Sequence, residues 1–94
     1  MPQLTKCLEH ENEFVRRAAA EVLGKLGEHG AAAVPQLTKC LEDKGEFVRY
    51  AAAEALGNLG EHGAAAVPQL TKCLEDKEAR VRKAAAEALR QLKR

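Results

Sequence analysis

Aromatic residues are almost missing from these 94 residues. Phe14, Phe47 and Tyr50 are the whole set, and tryptophan is absent. A core built on large rings is therefore excluded, and small aliphatic side chains must do the packing. Net charge is missing too. Fifteen basic and fourteen acidic side chains leave +1 at pH 7, with the signs interspersed. That balance gives no electrostatic footprint for nucleic acid or an anionic membrane. No apolar run approaches the roughly 20 residues that would span a bilayer. Met1 leads straight into the first motif, so no targeting segment is expected, and the expected setting is cytoplasmic or simply recombinant.

Paired chemistry is also lacking. Cys7, Cys40 and Cys73 are an odd set, which argues against a disulfide framework. They fall at equivalent places in adjacent helices, whose axes pack about 8–10 Å apart, beyond the roughly 7 Å a disulfide allows. Small reduced core side chains are expected. His29 and His62 recur in loops, but no cysteine or carboxylate set completes a tetrahedral metal site around them. No Ser/His/Asp or Cys/His nucleophile pattern is readable. No glycine-rich loop follows a strand, because no strand is predicted. No catalytic, metal or cofactor residue is assigned, no cofactor is implied and no small-molecule substrate is evident.

What is present is a repeat. Pro2, Pro35 and Pro68 stand 33 residues apart, and the string from Pro35 to Val67 recurs on both sides of itself. The units are 2–34, 35–67 and a shortened 68–94, within one repeat domain spanning 1–94. A period of this size means a stacked array in which each unit buries its apolar face against its neighbours. An Ala triplet recurs in every unit (Ala18–Ala20, Ala51–Ala53, Ala84–Ala86). Alanine favours helix and lets helices approach closely. An all-α fold follows, with two helices per unit.

In the middle unit, helix A is expected over residues 31–42. Its apolar stripe is Ala33, Val34, Leu37, Cys40 and Leu41. A polar turn follows at Asp43-Lys44-Gly45. Helix B is expected over 46–59, burying Val48, Ala51, Ala52, Ala55, Leu56 and Leu59. Gly60 suits the left-handed residue past a helix C-terminus. Gly57, with Gly24 one unit earlier, costs about 1 kcal/mol inside a helix and implies close backbone packing. The last unit replaces Phe47, Gly57 and Gly60 by Arg80, Arg90 and Lys93. With Lys83 and Arg94 these read as a polar C-terminal cap. The first unit shows no matching device, so its end is expected to expose apolar surface, Leu4 and Leu8 included.

Val48-Arg49-Tyr50-Ala51-Ala52 through Leu56-Gly57-Asn58-Leu59-Gly60, after a helix entered through Val34-Pro35, resembles the short HEAT-like repeats of the phycobilisome-lyase type. The resemblance covers essentially the whole chain. It implies a right-handed α-solenoid, an alpha-alpha superhelix of three HEAT-like two-helix repeats. It also implies a structural ladder between turn acids (Asp43, Asp76) and helix B arginines (Arg16, Arg49, Arg82). His10 replaces the acid in the first unit, so the ladder is expected to weaken there. As exposed pairs, its rungs would contribute only about 0–1 kcal/mol each. Enzymes with this resemblance include bilin lyases and di-iron deoxyhypusine hydroxylases. The latter carry helical His-Glu pairs as ligands, whereas His10-Glu11 is the single such pair here and falls in a turn. The near identity of units one and two points to a recently duplicated array or a consensus-like engineered one. The altered last helix favours engineering.

The resemblance also places B helices on the concave surface, where partners bind. Phe14, Arg17, Glu21 and Lys25 run along one edge of helix B at i, i+3, i+4 steps. Phe47, Tyr50, Glu54 and Asn58 match them, followed by Arg80, Lys83, Glu87 and Gln91. All three aromatics lie on this stripe, and aromatics and arginine are favoured at interface hot spots. The expected function is a non-enzymatic scaffold binding a protein through this edge. The alternative for the rings is that Phe14 and Phe47 pack between units. Alternatives for the chain are self-assembly, as a dimer or end to end through the first unit, and an excerpt of a larger lyase-type or hydroxylase-type enzyme.

Overall fold

The computed structural model describes residues 2–93. Helices occur in pairs: α1 (Pro2–Cys7) with α2 (Glu13–Lys25), α3 (Val34–Cys40) with α4 (Glu46–Asn58), and α5 (Val67–Cys73) with α6 (Ala79–Leu92). No strand occurs among the described residues. The pairs stack into an all-α solenoid, with α2, α4 and α6 as one continuous layer and the shorter α1, α3 and α5 outside it.

The short helices begin later than the apolar pattern suggests. Residues 31–33 belong to a tight 3-10 segment, Gly27–Ala33, which recurs as Gly60–Ala66. The α-helix starts at Val34, whose N–H donates to the Ala31 carbonyl three residues back. Pro35 explains the delay. It has no N–H for the carbonyl of Ala31, and its ring excludes an α turn before it. At the second helical position the missing donor costs nothing. Each 3-10 segment opens on a left-handed glycine, Gly27 at φ 59° and Gly60 at φ 60°. α4 stops one residue short of the expected end, within ordinary fraying.

The core is aliphatic, as the scarcity of rings requires. Leu23, Leu37, Leu56, Leu70, Val48 and Val81 are its largest fully buried side chains, with alanines between them. The expected stripes of α3 and α4 are all buried. Gly24 and Gly57 set the spacing of the inner layer. A Cβ at Gly24 would lie 2.8 Å from the Ala55 Cα, and one at Gly57 would lie 2.8 Å from the Ala88 Cα. Real carbons do not approach that closely, so this seam runs alanine into glycine. One residue type on each side fixes the helix separation.

Leu8 departs from expectation. It is 3% exposed, because α3 lies across it and the Cys40 thiol donates to its carbonyl at 3.8 Å. Leu4 is partly buried. The apolar residues open at this end are Phe14 and Val22 on α2, at 68% and 42% exposure. Of the C-terminal cap, Arg80, Lys83, Arg90 and Lys93 are exposed. Arg94 lies outside the described residues.

Candidate functional site

Two constellations repeat along the array. The first is the ladder. Arg16 donates from Nε to Asp43 Oδ2 at 2.7 Å and from Nη2 to Oδ1 at 3.1 Å. Its Nη1 donates to the carbonyls of His10 and Glu11. Arg49 repeats this with Asp76, at 2.8 and 3.2 Å, and with the carbonyls of Asp43 and Lys44. Each arginine thus ties its own turn to the acid of the following unit. Both arginines are buried, so these are not the exposed pairs expected from the sequence. They are bidentate and charge-assisted, the stronger class of hydrogen bond.

The offset between partners also moves the weak point. Arg16 reaches forward to Asp43, so His10 leaves no arginine unpaired. The open rung is at the other end, at Arg82. His10 does the local part of the acid's work. Its Nδ1 accepts from the Asn12 N–H at 3.0 Å, as Asp43 Oδ1 accepts from Gly45 and Asp76 Oδ1 from Glu78. Asn12 then caps α2 by accepting from the Phe14 N–H. Burial alone would raise the pKa of Asp76. The Arg49 hydrogen bonds, the Glu78 N–H and the charges of Arg49 and Lys77 outweigh it, and the group is held below its ordinary value.

The second constellation is the expected stripe on the B helices. Tyr50, Glu54, Asn58, Lys83 and Glu87 come together with Arg80, Ala84 and Gln91 around a hollow of about 380 Å³ between α4 and α6. Glu21 and Lys25 line a smaller hollow of about 190 Å³ between α2 and α4, shared with Glu54 and Asn58. Phe14, Arg17 and Phe47 lie outside both. Phe47 is 44% exposed and is flanked by its neighbours. The Arg80 guanidinium sits 4.7 Å from the ring centre and that of Arg17 sits 5.5 Å away, both within cation–π range. Arg80 also pairs with Glu46 at 3.0 Å. Tyr50 donates to Glu54 at 3.0 Å, and this bond is the main reason its hydroxyl holds its proton to higher pH. Neither phenylalanine is buried between units. Arg80, read from the sequence both as a cap residue and as the stripe position matching Phe47, thus stands over the Phe47 ring itself.

Two of the three cysteines sit in a setting that disfavours the thiolate. Cys40 and Cys73 are buried, and burial pushes the Cys40 thiol up to about 11 and raises that of Cys73. A protonated thiol is a poor nucleophile and metal ligand. Among the described residues no three His, Cys, Asp or Glu side chains gather where a metal ion could sit. No helix among them is long and apolar enough to cross a membrane.

Paired helices, an inter-unit Arg–Asp ladder and a continuous inner layer define a helical-repeat scaffold. The HEAT-repeat family model matches residues 1–90, and the chain belongs to that family. No curated protein matches the chain. Among solved structures it is similar to human deoxyhypusine hydroxylase in complex with glycerol. The identity is 30% and the TM-score 0.82, over 96% of this chain and 31% of that one. The chain therefore spans under a third of that enzyme's length.

Proposed function

We propose that this HEAT-repeat chain is a non-enzymatic scaffold that binds a protein along the solvent-exposed edge of α2, α4 and α6. One observation carries the reading: Phe47 is held open to solvent between Arg17 and Arg80, beside the hollow that Tyr50 and Lys83 border. Aromatic rings lose little rotamer entropy on binding, and tyrosine and arginine are favoured at hot spots. The mixed charges around them suit a polar protein surface better than a nucleic acid or a lipid. The tyrosine and acidic residues supply directional hydrogen bonds at the rim.

The test selects peptides against the chain from a random display library and measures the dissociation constants of the winners. Phe47→Ala and Tyr50→Ala should each weaken binding by about 10-fold or more, the range of a hot-spot residue. Phe14→Ala should matter less. Winners indifferent to both Phe47 and Tyr50 would sink the proposal.

Self-stacking in repeat register is disfavoured by two side chains. Val22 occupies the alanine position of the inner seam, and Arg90 occupies its glycine position. Either one would drive side-chain atoms into the space where Ala55 meets Gly24. Hydroxylase chemistry is suggested by the similarity to deoxyhypusine hydroxylase alone. The donor set argues against it, since among the described residues no three His, Cys, Asp or Glu side chains gather where a metal ion could sit.

A further inference from the structure

Glu21, Glu54 and Glu87 hold one position of the B helix in three successive units. At the first, Arg17 stands one turn earlier, and its Nε donates to the carboxylate at 3.4 Å. At the third, Arg90 stands three residues later and pairs with Glu87. The middle unit has neither cation. Tyr50 stands where an arginine would precede Glu54, and Gly57 stands where one would follow it. The seam fixes that glycine, since even a Cβ there would lie 2.8 Å from the Ala88 Cα. Glu54 is therefore held by one neutral donor, the Tyr50 hydroxyl at 3.0 Å. Its Oε1 has no donor among the described residues. The nearby Arg80 is already occupied, paired with Glu46 at 3.0 Å and set over the Phe47 ring.

Glu54 also stands at a junction. With Asn58 it lines both the hollow between α4 and α6 and the hollow between α2 and α4. The two hollows make one oblique trough across the three B helices. Lys83 lines its α6 end and Lys25 its α2 end, and neither ammonium has a partner among the described residues. The uncompensated charges along the trough thus run positive, negative, positive. Tyr50 walls the trough beside Glu54, with its ring packed against the core. A fixed ring beside a free carboxylate oxygen suits a cation, which can lie on the ring face while it pairs with the oxygen.

We propose that this trough reads charge order in the bound protein: it takes a segment in which one lysine or arginine stands between two acids. The basic side chain lies over Tyr50 and pairs with Glu54, and the acids meet Lys83 and Lys25. Neighbouring helices stand about 8–10 Å apart, a span that about three residues of extended chain cover. Base and acids are therefore spaced by about three residues in an extended segment. Complementary charge of this kind decides which partner binds more than how tightly it is held. The inference rests on the B-helix edge being the interaction surface, and it adds what the partner carries there.

The test uses linear peptides selected against the chain from a random display library. Winners weakened by Phe47→Ala should share a lysine or arginine with acids on both sides. Replacing that base by alanine should weaken binding to the native chain about 10-fold, as for loss of a charged hydrogen bond. The same replacement should leave binding to the Glu54→Gln variant unchanged. Glu54 is exposed, so that variant should fold normally. Selection against Glu54→Lys should return an acid in place of the base. Winners that need Phe47 and Tyr50 yet bind Glu54→Gln as tightly as the native chain would overturn the proposal and leave the edge as the binding surface. Winners indifferent to Phe47 and Tyr50 would overturn both. A dimer of the chain that Glu54→Gln dissolves, seen by sedimentation, would assign the trough to a second copy and overturn the proposal as well.

Discussion

Leu41 and Leu74 have the same neighbours in sequence and opposite surroundings in space. Both follow a Thr-Lys-Cys triplet and precede Glu-Asp-Lys, yet one is 3% exposed and the other 40%. Arg49 and Arg82 repeat the contrast in a charged side chain. In a stacked array, what a residue contributes is set by the next unit more than by its own. Middle and last units are therefore a controlled comparison, with the local sequence held nearly fixed.

The leucine pair should show the largest effect. Leu41→Ala should cost about 2–5 kcal/mol, since it removes buried methyl groups and leaves a cavity. Leu74→Ala should stay within about 0.5 kcal/mol. Urea denaturation of both variants checks this, and equal losses would break the comparison. The arginine pair comes next. Arg49→Ala leaves the Asp76 carboxylate without its fork and should cost about 1.5–3 kcal/mol. Arg82→Ala should be neutral within about 0.5 kcal/mol in the same measurement.

The glycine seam sharpens the contrast from the other helix. Gly57→Ala raises helix propensity by about 1 kcal/mol. It also places a carbon 2.8 Å from the Ala88 backbone, so α4 and α6 must part. Overpacking of this kind costs about 1–3 kcal/mol, and a net thermal destabilisation is expected. Arg90→Ala, at the same position one unit on, should leave the melting temperature unchanged.

Acid should act on the closed rung. Asp76 has a lower pKa folded than unfolded, so its contribution is present above the ordinary value of 3.8 and is lost as pH falls through the folded one. Stability should therefore decline below about pH 4. Asp76→Asn should flatten that decline. An unchanged pH profile would mean that Arg49 does not hold the carboxylate ionised.

Much of this was legible in the sequence. The repeat, the B-helix faces, and the roles of Gly57 and Gly60 follow from periodicity and from what glycine alone permits. The start of helix A was not, because Ala31 and Ala32 favour a helix that Pro35 forbids in the α register. The depth and offset of the ladder were not legible either. Arg16 and Asp43 lie 27 residues apart, and nothing local says that an arginine reaches forward one unit rather than across its own turn. The burial of Leu8 was missed for the same reason, since it depends on α3. The stripe residues were legible as neighbours on a helix edge. Their grouping around a hollow needed the spacing between α4 and α6, which the alanine–glycine seam sets.

The two phenylalanines give the smallest and most selective test. Phe14 is 68% exposed, with no guanidinium over its ring among the described residues, whereas Phe47 has a guanidinium from the unit on each side. A cation over an exposed ring contributes about 0.5–1 kcal/mol. Phe47→Ala should therefore cost about 1 kcal/mol, and Phe14→Ala no more than about 0.5 kcal/mol. A double-mutant cycle between Phe47 and Arg80 should give a coupling of about 0.5–1 kcal/mol that persists in salt better than the Arg80–Glu46 pair does. If the coupling is zero, the ring is held in place by α4 alone, and its exposure between the arginines is an accident of register rather than a prepared surface.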